Sequence, residues 1–154
     1  FWEIPVDSLA MSFLAPTLIV FAVLLVVAIA ALSFEPADPF AAWIKLAERY
    51  ATDRRPSSVQ FSGQRLRFGT QRGKPKHLNS FVTFDTAIDD FGLWIICKGI
   101  DEEQFPAALK IPGTHVRFVA RKGNDYIVDL YAEPPVRMAV HGEFGQALAE
   151  RSSS

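Results

Sequence analysis

One stretch limits the structures open to this chain more than any other: no charged residue occurs between Asp7 and Glu35. Within it, residues 13–32 are apolar apart from Pro16 and Thr17. Residues 13–32 would rise about 30 Å as an α-helix, which is the thickness of a bilayer's hydrocarbon core. The stretch therefore predicts a transmembrane helix over residues 12–34, preceded by an N-terminal tail at residues 1–11.

Two other interpretations of the apolar stretch fit less well. A helix in a protein core seldom runs this long without a polar face. A cleaved signal peptide needs basic residues ahead of its apolar run, and residues 1–10 contain Glu3 and Asp7 but no Lys or Arg. An uncleaved anchor is the preferred interpretation. Because the sequence begins with Phe1, Met11 is a candidate for the start of translation.

The positions of the basic residues predict an orientation for such a helix. All 16 Lys and Arg follow it, beginning with Lys45. The positive-inside tendency then places the C-terminal part of the chain in the cytoplasm. The single cysteine, Cys97, agrees with a reducing compartment.

An amphipathic helix is predicted next to the membrane at residues 38–55. Asp38 and Pro39 have the side chains expected of a helix cap and a first helical residue, and Arg54-Arg55-Pro56 ends the pattern. Its aromatic face could lie on lipid or meet a partner protein, but packing onto the following domain is preferred. The residues of this candidate partner face are Phe40, Trp43 and Tyr50.

The hydrophobic period changes to two after this helix. Val59 and Phe61, for example, alternate with polar residues, and Gly123-Asn124 is a typical hairpin turn. Residues 57–141 are therefore predicted to form an antiparallel β-sheet or partly open barrel. Residues 142–154 are predicted to form a short C-terminal helix and tail. The expected fold class is a single transmembrane helix followed by an α+β domain.

Charge is distributed unevenly along the predicted β domain. Seven basic and no acidic residues lie between Arg54 and Phe84, whereas residues 85–103 hold six acidic residues and Lys98. A basic segment close to a bilayer is attracted to anionic lipid headgroups by about 1 kcal/mol per Lys or Arg. The candidate headgroup contacts are Arg54, Arg55, Arg72, Lys74 and Lys76.

No motif in the sequence indicates catalysis, a cofactor or a metal. The three histidines lie far apart without metal-ligand spacing, and Cys97 ends an apolar run typical of a buried thiol. An enzyme is not expected; one would require Asp89 or Asp90 to meet His77 or His115. Nucleic acid is not an expected partner, because the net charge is −1 and few aromatic residues accompany the basic ones.

The chain resembles two groups of proteins. The elements Trp43-x-x-Leu46-Ala47-x-x-Tyr50, Gly92-Leu93-Trp94 and Leu109-Lys110-Ile111-Pro112 are similar to those of small uncharacterised single-pass membrane proteins of proteobacteria. That group has Trp after the Ile-Pro pair, where this chain has Gly113. More loosely, the order of strands before a terminal helix resembles bacterial pleckstrin-homology-like domains, curled sheets closed by one helix. Neither resemblance supplies catalytic residues.

These observations predict a location and a function. The first resemblance implies a bacterial inner membrane. The expected function is that of a non-catalytic, membrane-anchored cytoplasmic β domain, which binds lipid headgroups or a protein. The alternative is an accessory or structural subunit of a larger membrane protein complex.

Overall fold

The structure, a computed structural model, describes residues 6–33, 38–71, 73–99 and 108–154. Within the first range, side chains are described for residues 15–30. The chain divides into two compact units, Phe1–Pro36 and Ala37–Ser154.

The first unit contains helix α1, Val6–Ser33. Among the described residues no helix is long and apolar enough to cross a membrane, so the predicted transmembrane helix over residues 12–34 is wrong. The helix also begins at Val6, inside the segment predicted to be an N-terminal tail.

The second unit is an α+β fold with two antiparallel sheets, and it confirms the prediction that the chain is rich in β structure. Its strands are β1 (Phe61–Gln64), β2 (Arg67–Thr70), β3 (Lys76–His77), β4 (Thr83–Ile88), β5 (Gly92–Lys98), β6 (Ala108–Pro112), β7 (Val116–Lys122), β8 (Asp125–Leu130) and β9 (Val136–His141). A 3₁₀ turn, Gly113–His115, connects β6 to β7.

One continuous segment of the chain contributes β1 to one sheet and β2 to the other. Sheet A has the order β1-β4-β5-β6, and sheet B the order β3-β2-β9-β8-β7. β1 pairs with β4 in sheet A, whereas β2 pairs with β9 in sheet B. Leu66, between the two strands, is 1% exposed. The chain therefore passes from one sheet to the other at this buried leucine, and the apolar faces of both sheets contribute to one core.

Helix α2, Pro39–Tyr50, packs its apolar face into this core. The Asp38 side chain accepts a hydrogen bond from the Phe40 backbone N–H, and Pro39 is the first helical residue. The helix ends at Tyr50, earlier than residue 55, because Ala51 pairs with Leu109 in sheet A. At this bridge the Thr52 N–H donates to the Ala108 carbonyl oxygen, and so it is not available for a further turn of the helix.

Helix α3, Gly142–Ser152, follows β9 directly and packs on sheet B. The Phe144 ring lies 5.3 Å from that of Phe61 in β1. Gly145 touches the Tyr126 ring so closely that a Cβ atom there would lie 2.4 Å from a ring carbon. The helix is thus seated against residues of both sheets.

Candidate interaction surfaces

Between Leu18 and Val27, helix α1 presents an apolar surface on every side. From Leu18 to Val27, nine large apolar side chains are between 56% and 72% exposed. Successive residues of an α-helix point about 100° apart, so neighbouring residues such as Leu18, Ile19 and Val20 face different directions. A helix that is apolar all round is normally buried inside a larger protein or in a membrane. The exposed surface of α1 is therefore of a kind that other apolar groups normally cover.

The predicted partner face of α2 lies inside the chain's own domain. Trp43 is 0% exposed and Tyr50 6%, and Phe40 is half-buried against the same core. The Trp43 ring lies 5.7 Å from Phe68 of β2 and 5.5 Å from Phe84 of β4. This aromatic face is therefore occupied by the two sheets.

Tyr50 joins α2 to the turn that precedes β7. Its hydroxyl donates to the Tyr131 carbonyl oxygen at 2.6 Å and lies 2.8 Å from His115 Nδ1. A hydroxyl has one proton to donate, so Nδ1 of His115 must be the donor to Tyr50. Burial raises the pKa of Tyr50 against the opposing field of Arg49. These bonds fix the end of α2 and leave Tyr50 neutral at physiological pH.

The predicted headgroup contacts lie at different sheet edges. Arg54 and Arg55 are exposed just after α2, where the Thr52 N–H donates to the Ala108 carbonyl oxygen in sheet A. Lys74 and Lys76 are exposed at the β2–β3 connection of sheet B. Arg72 lies outside the described residues.

The outer face of sheet B carries a buried carboxylate bound by two arginines. Asp129 in β8 is 5% exposed. It accepts hydrogen bonds from Arg137 Nε at 2.8 Å and from Arg117 at 3.1 Å, and Gln71 donates to it at 3.3 Å. Burial raises the pKa of Asp129, but the Arg137 and Arg117 hydrogen bonds outweigh burial and hold the pKa below its usual value. The carboxylate is therefore charged, and both of its oxygens accept hydrogen bonds from side chains.

Two further carboxylates are also paired. Asp125 contacts the guanidinium of Arg67 and lies 3.0 Å from His141 Nδ1. Its hydrogen bond with Arg67 lowers the pKa of Asp125. In sheet A, Asp85 is 5% exposed and lies 2.5 Å from Lys98 Nζ. None of these three carboxylate pairs was predicted from the sequence. A carboxylate inside an apolar strand indicates that a charged partner lies nearby. The partner itself cannot be identified from the sequence, because it lies on another strand whose register only the fold defines.

The groups that could have formed a catalytic site do not come together. Asp89 Oδ1 accepts from the backbone N–H of Phe91 and Gly92, and its Oδ2 accepts from Trp94 Nε1 at 2.6 Å. The side chains that lower the pKa of His77 electrostatically are those of Arg65, Arg67 and His141. His115 contacts Tyr50 and Tyr131 instead. Asp89 thus stabilises the β4–β5 turn.

Cys97 and the histidines offer no site of their own. Cys97 is buried, and burial raises the pKa of its thiol to about 11, so the thiolate needed for nucleophilic chemistry is scarce. Within the described part of the chain, no group of three or more His, Cys, Asp and Glu side chains could hold a metal ion.

A cavity of about 300 Å³ opens beside the start of β7. Its apolar lining comes from Ile88, Leu93, Val116 and Leu148. Thr114 and Arg151 line it as well and are exposed. An apolar floor with a few polar groups at the rim is typical of a binding pocket.

The chain was compared with known proteins at the levels of family, sequence and fold. No family model, no curated protein and no solved structure matches it. The resemblances to proteobacterial single-pass proteins and to pleckstrin-homology-like domains therefore stay predictions.

Proposed function

We propose that this chain is a non-catalytic interaction subunit of a larger protein assembly. Helix α1 is its attachment element, and its apolar surface packs against apolar helices of a partner protein. The observation that carries the proposal is the exposure of 56% to 72% at nine large apolar side chains between Leu18 and Val27.

The size of this surface provides a large driving force for association. Fully burying one Val, Leu, Ile or Phe side chain contributes about 1.5–3 kcal/mol. Burying the nine side chains from their present exposure supplies on the order of 10 kcal/mol before the costs of association are subtracted. The costs of association are about 4–15 kcal/mol, so burial of this surface is a driving force of comparable size.

The second unit supports a binding role rather than chemistry. Its buried carboxylates, Asp85 and Asp129, are held by Lys98 and by two arginines. Asp89 is bound within its own turn, and the Cys97 thiol is buried. These groups stabilise the fold.

The test is recovery of the full chain from its native cells after chemical crosslinking in mild detergent. We expect it to migrate in a complex with other proteins. The variants Leu18→Gln/Leu25→Gln and Val20→Gln/Val27→Gln alter two different sides of α1, and each is expected to reduce recovery of the partners at least fivefold. The control variant, Ile44→Gln/Val59→Gln, alters exposed apolar residues of the second unit and is expected to leave recovery unchanged. A chain that migrates alone after crosslinking, or equal losses in all three variants, would contradict the proposal.

Binding of anionic headgroups is a second candidate function. It is supported by the exposure of Arg54, Arg55, Lys74 and Lys76, each of which would contribute about 1 kcal/mol near an anionic surface. The variant with all four changed to Gln is expected to lose salt-sensitive flotation with phosphatidylglycerol vesicles. The control Arg121→Gln/Lys122→Gln/Arg151→Gln is expected to retain it. Equal flotation of the two variants would exclude this function.

A further inference from the structure

Strand β7 is an edge of sheet B. It pairs with β8 on one side, and no described strand pairs with it on the other. At seven residues it is as long as any strand in the described fold. Such an edge is a template on which another extended segment can pair.

The register of β7 and β8 shows which backbone groups face the open edge. The Tyr131 N–H donates to the His115 carbonyl oxygen, and Val116 lies opposite Leu130. Val116 and Leu130 are therefore a non-hydrogen-bonded pair, and by alternation so are Phe118 and Val128. The N–H and C=O of Phe118 consequently point away from β8 and are available to a segment that adds at the edge.

Three of the seven residues of β7 are basic, and the other four are apolar. Arg121 and Lys122 are exposed near the end of the strand, whereas the charge of Arg117 is paired with Asp129. β7 contains no acidic residue. An extended segment that adds here therefore meets a positive strand, which favours acidic side chains at its own positions.

The cavity of about 300 Å³ lies at the other end of the same strand. Val116, the first residue of β7, lines it together with Leu148 and Arg151 of α3. It is large enough for one aliphatic or aromatic side chain. A segment paired with β7 could therefore place an apolar residue in the cavity, and the exposed Arg151 and Thr114 at its rim would contact the backbone or an acidic neighbour.

We propose that the open edge of β7 and this cavity bind an extended acidic segment of a partner protein. The segment adds to sheet B as a further strand, places one apolar side chain in the cavity, and faces Arg121 and Lys122 with acidic side chains. This surface belongs to the second unit. The proposal rests on different observations from those for α1, so either can fail without the other.

The irregularity of β7 is consistent with this selectivity. A bulge interrupts its register with β8 between Phe118 and Ala120. Bulges and basic side chains keep edge strands from pairing with copies of themselves, because like charges would lie opposite each other. An acidic segment is attracted by the same side chains that repel a second β7.

The experiment uses the full chain in mild detergent and a display library of random ten-residue segments. Enriched sequences are expected to combine acidic residues with one large apolar residue. The best one is then synthesised, and its dissociation constant is measured by fluorescence anisotropy. A matched peptide carries N-methyl groups at alternate backbone nitrogens, which removes strand pairing and leaves every side chain in place.

Two variants test the two halves of the surface. Thr114→Trp fills the cavity from an exposed position, and Arg121→Glu/Lys122→Glu reverses the charge of the edge. Each is expected to weaken binding at least tenfold, as is N-methylation. Arg54→Glu/Arg55→Glu makes the same change in charge elsewhere and is expected to leave binding within twofold. In NMR spectra of the complex, the amide of Phe118 is expected to be among the most strongly shifted.

Several results would overturn the proposal. One is a library with no segment enriched on the wild-type chain over the Thr114→Trp chain. A second is an N-methylated peptide that binds as tightly as its parent, which would mean attraction by charge alone. A third is an equal loss of binding in the Arg54→Glu/Arg55→Glu control.

Discussion

At the scale of single residues, the most important feature for stability is the charged carboxylate of Asp129, which is buried in sheet B. Asp129 is 5% exposed in an otherwise apolar strand end, next to Val128 and Leu130, which are 0% exposed. Burying a charge is costly unless it is paired and hydrogen-bonded. Arg137 and Arg117, which come from the strands on either side of β8, supply that compensation. Asp129 therefore holds three strands together across the outer face of the sheet.

Replacement of this carboxylate should destabilise the protein. Asp129→Asn removes the negative charge and leaves Arg137, whose side chain is 23% exposed, without its ion pair. We expect a loss of about 1–3 kcal/mol in the free energy of unfolding, measured by urea denaturation. Asp90→Asn, at an exposed position in the β4–β5 turn, is the control and should change stability by less than about 0.5 kcal/mol. Equal stability of the two variants would show that Asp129 is not held as described.

Cys97 offers a test of burial at a single atom. Because its pKa is raised to about 11 by burial, little thiolate forms at pH 8 and the sulfur is shielded from reagents. We expect iodoacetamide to leave the folded chain unmodified at pH 8 over an hour and to modify it fully in 6 M guanidinium. Mass spectrometry measures both states. Rapid modification of the folded chain would show that β5 opens to solvent.

At the scale of elements, some boundaries follow from local chemistry and others do not. The start of α2 is encoded by Asp38 and Pro39, which act on the backbone next to them. The β7–β8 hairpin is encoded by Gly123, whose φ of +62° suits a residue without a side chain. The end of α2 depends instead on Leu109, which pairs with Ala51 from far along the chain. Local patterns therefore locate an element's start or turn, but a distant strand can decide where it stops.

Gly92 shows how an element boundary can require one residue type. It begins β5 with a φ of +152°, and a Cβ atom there would lie 2.2 Å from the Ile111 carbonyl oxygen. Gly92→Ala must therefore push β5 and β6 apart, and we expect it to lower the free energy of unfolding by more than 2 kcal/mol, on the order of other strained core changes.

Gly123→Ala is the matched control for this substitution. Gly123 also has a positive φ, but a Cβ atom there would meet nothing within 4 Å. We expect a cost of about 1 kcal/mol from backbone conformation alone. Both values come from urea denaturation followed by circular dichroism. Similar costs at the two positions would show that β5 and β6 can separate freely.

At the scale of the whole molecule, the charge pairs predict how stability depends on pH. The pKa values of Asp85, Asp125 and Asp129 are all lowered in the folded state. A carboxyl with a lowered folded pKa stabilises the fold above its unfolded pKa of about 3.9, and that contribution is lost as the pH falls through the folded pKa. His77 has a lowered pKa as well, through partial burial and the neighbouring Arg65 and Arg67. Its side chain is exposed, so its contribution is small and falls below about pH 6.5.

The expected profile has two parts. The free energy of unfolding should be constant from pH 8 to pH 6.5, fall slightly to pH 5, and drop steeply below pH 4. Urea titrations at these pH values measure it. Asp129→Asn should flatten the steep part because one of the titrating groups is gone. A chain that is most stable at pH 3 would contradict the ion-pair assignments.

In the unit formed by Ala37–Ser154, the described residues of the basic and acidic blocks of the sequence do not form matching charged surfaces. The basic segment from Arg54 to Lys76 is continuous along the chain, but Arg54 and Arg55 lie beside sheet A, whereas Lys74 and Lys76 lie at the β2–β3 connection of sheet B. Arg67, in the middle of that segment, is paired with Asp125 in β8. Charge that is contiguous in sequence is therefore distributed in space by the strand order, and part of it is neutralised.

The sequence by itself determined the local features of this protein: the apolar stretch of α1, the cap of α2, the period of the strands and the turn at Gly123. Each depends on residues within a few positions of one another, where propensity and hydrogen bonding act directly. Tertiary structure alone decided which strands cover the aromatic face of α2, and that Asp125 and Asp129 meet their arginines. It also decided that β7 is left with an open edge beside a cavity. These depend on strand order and register, since pairing brings together residues that are far apart in the chain.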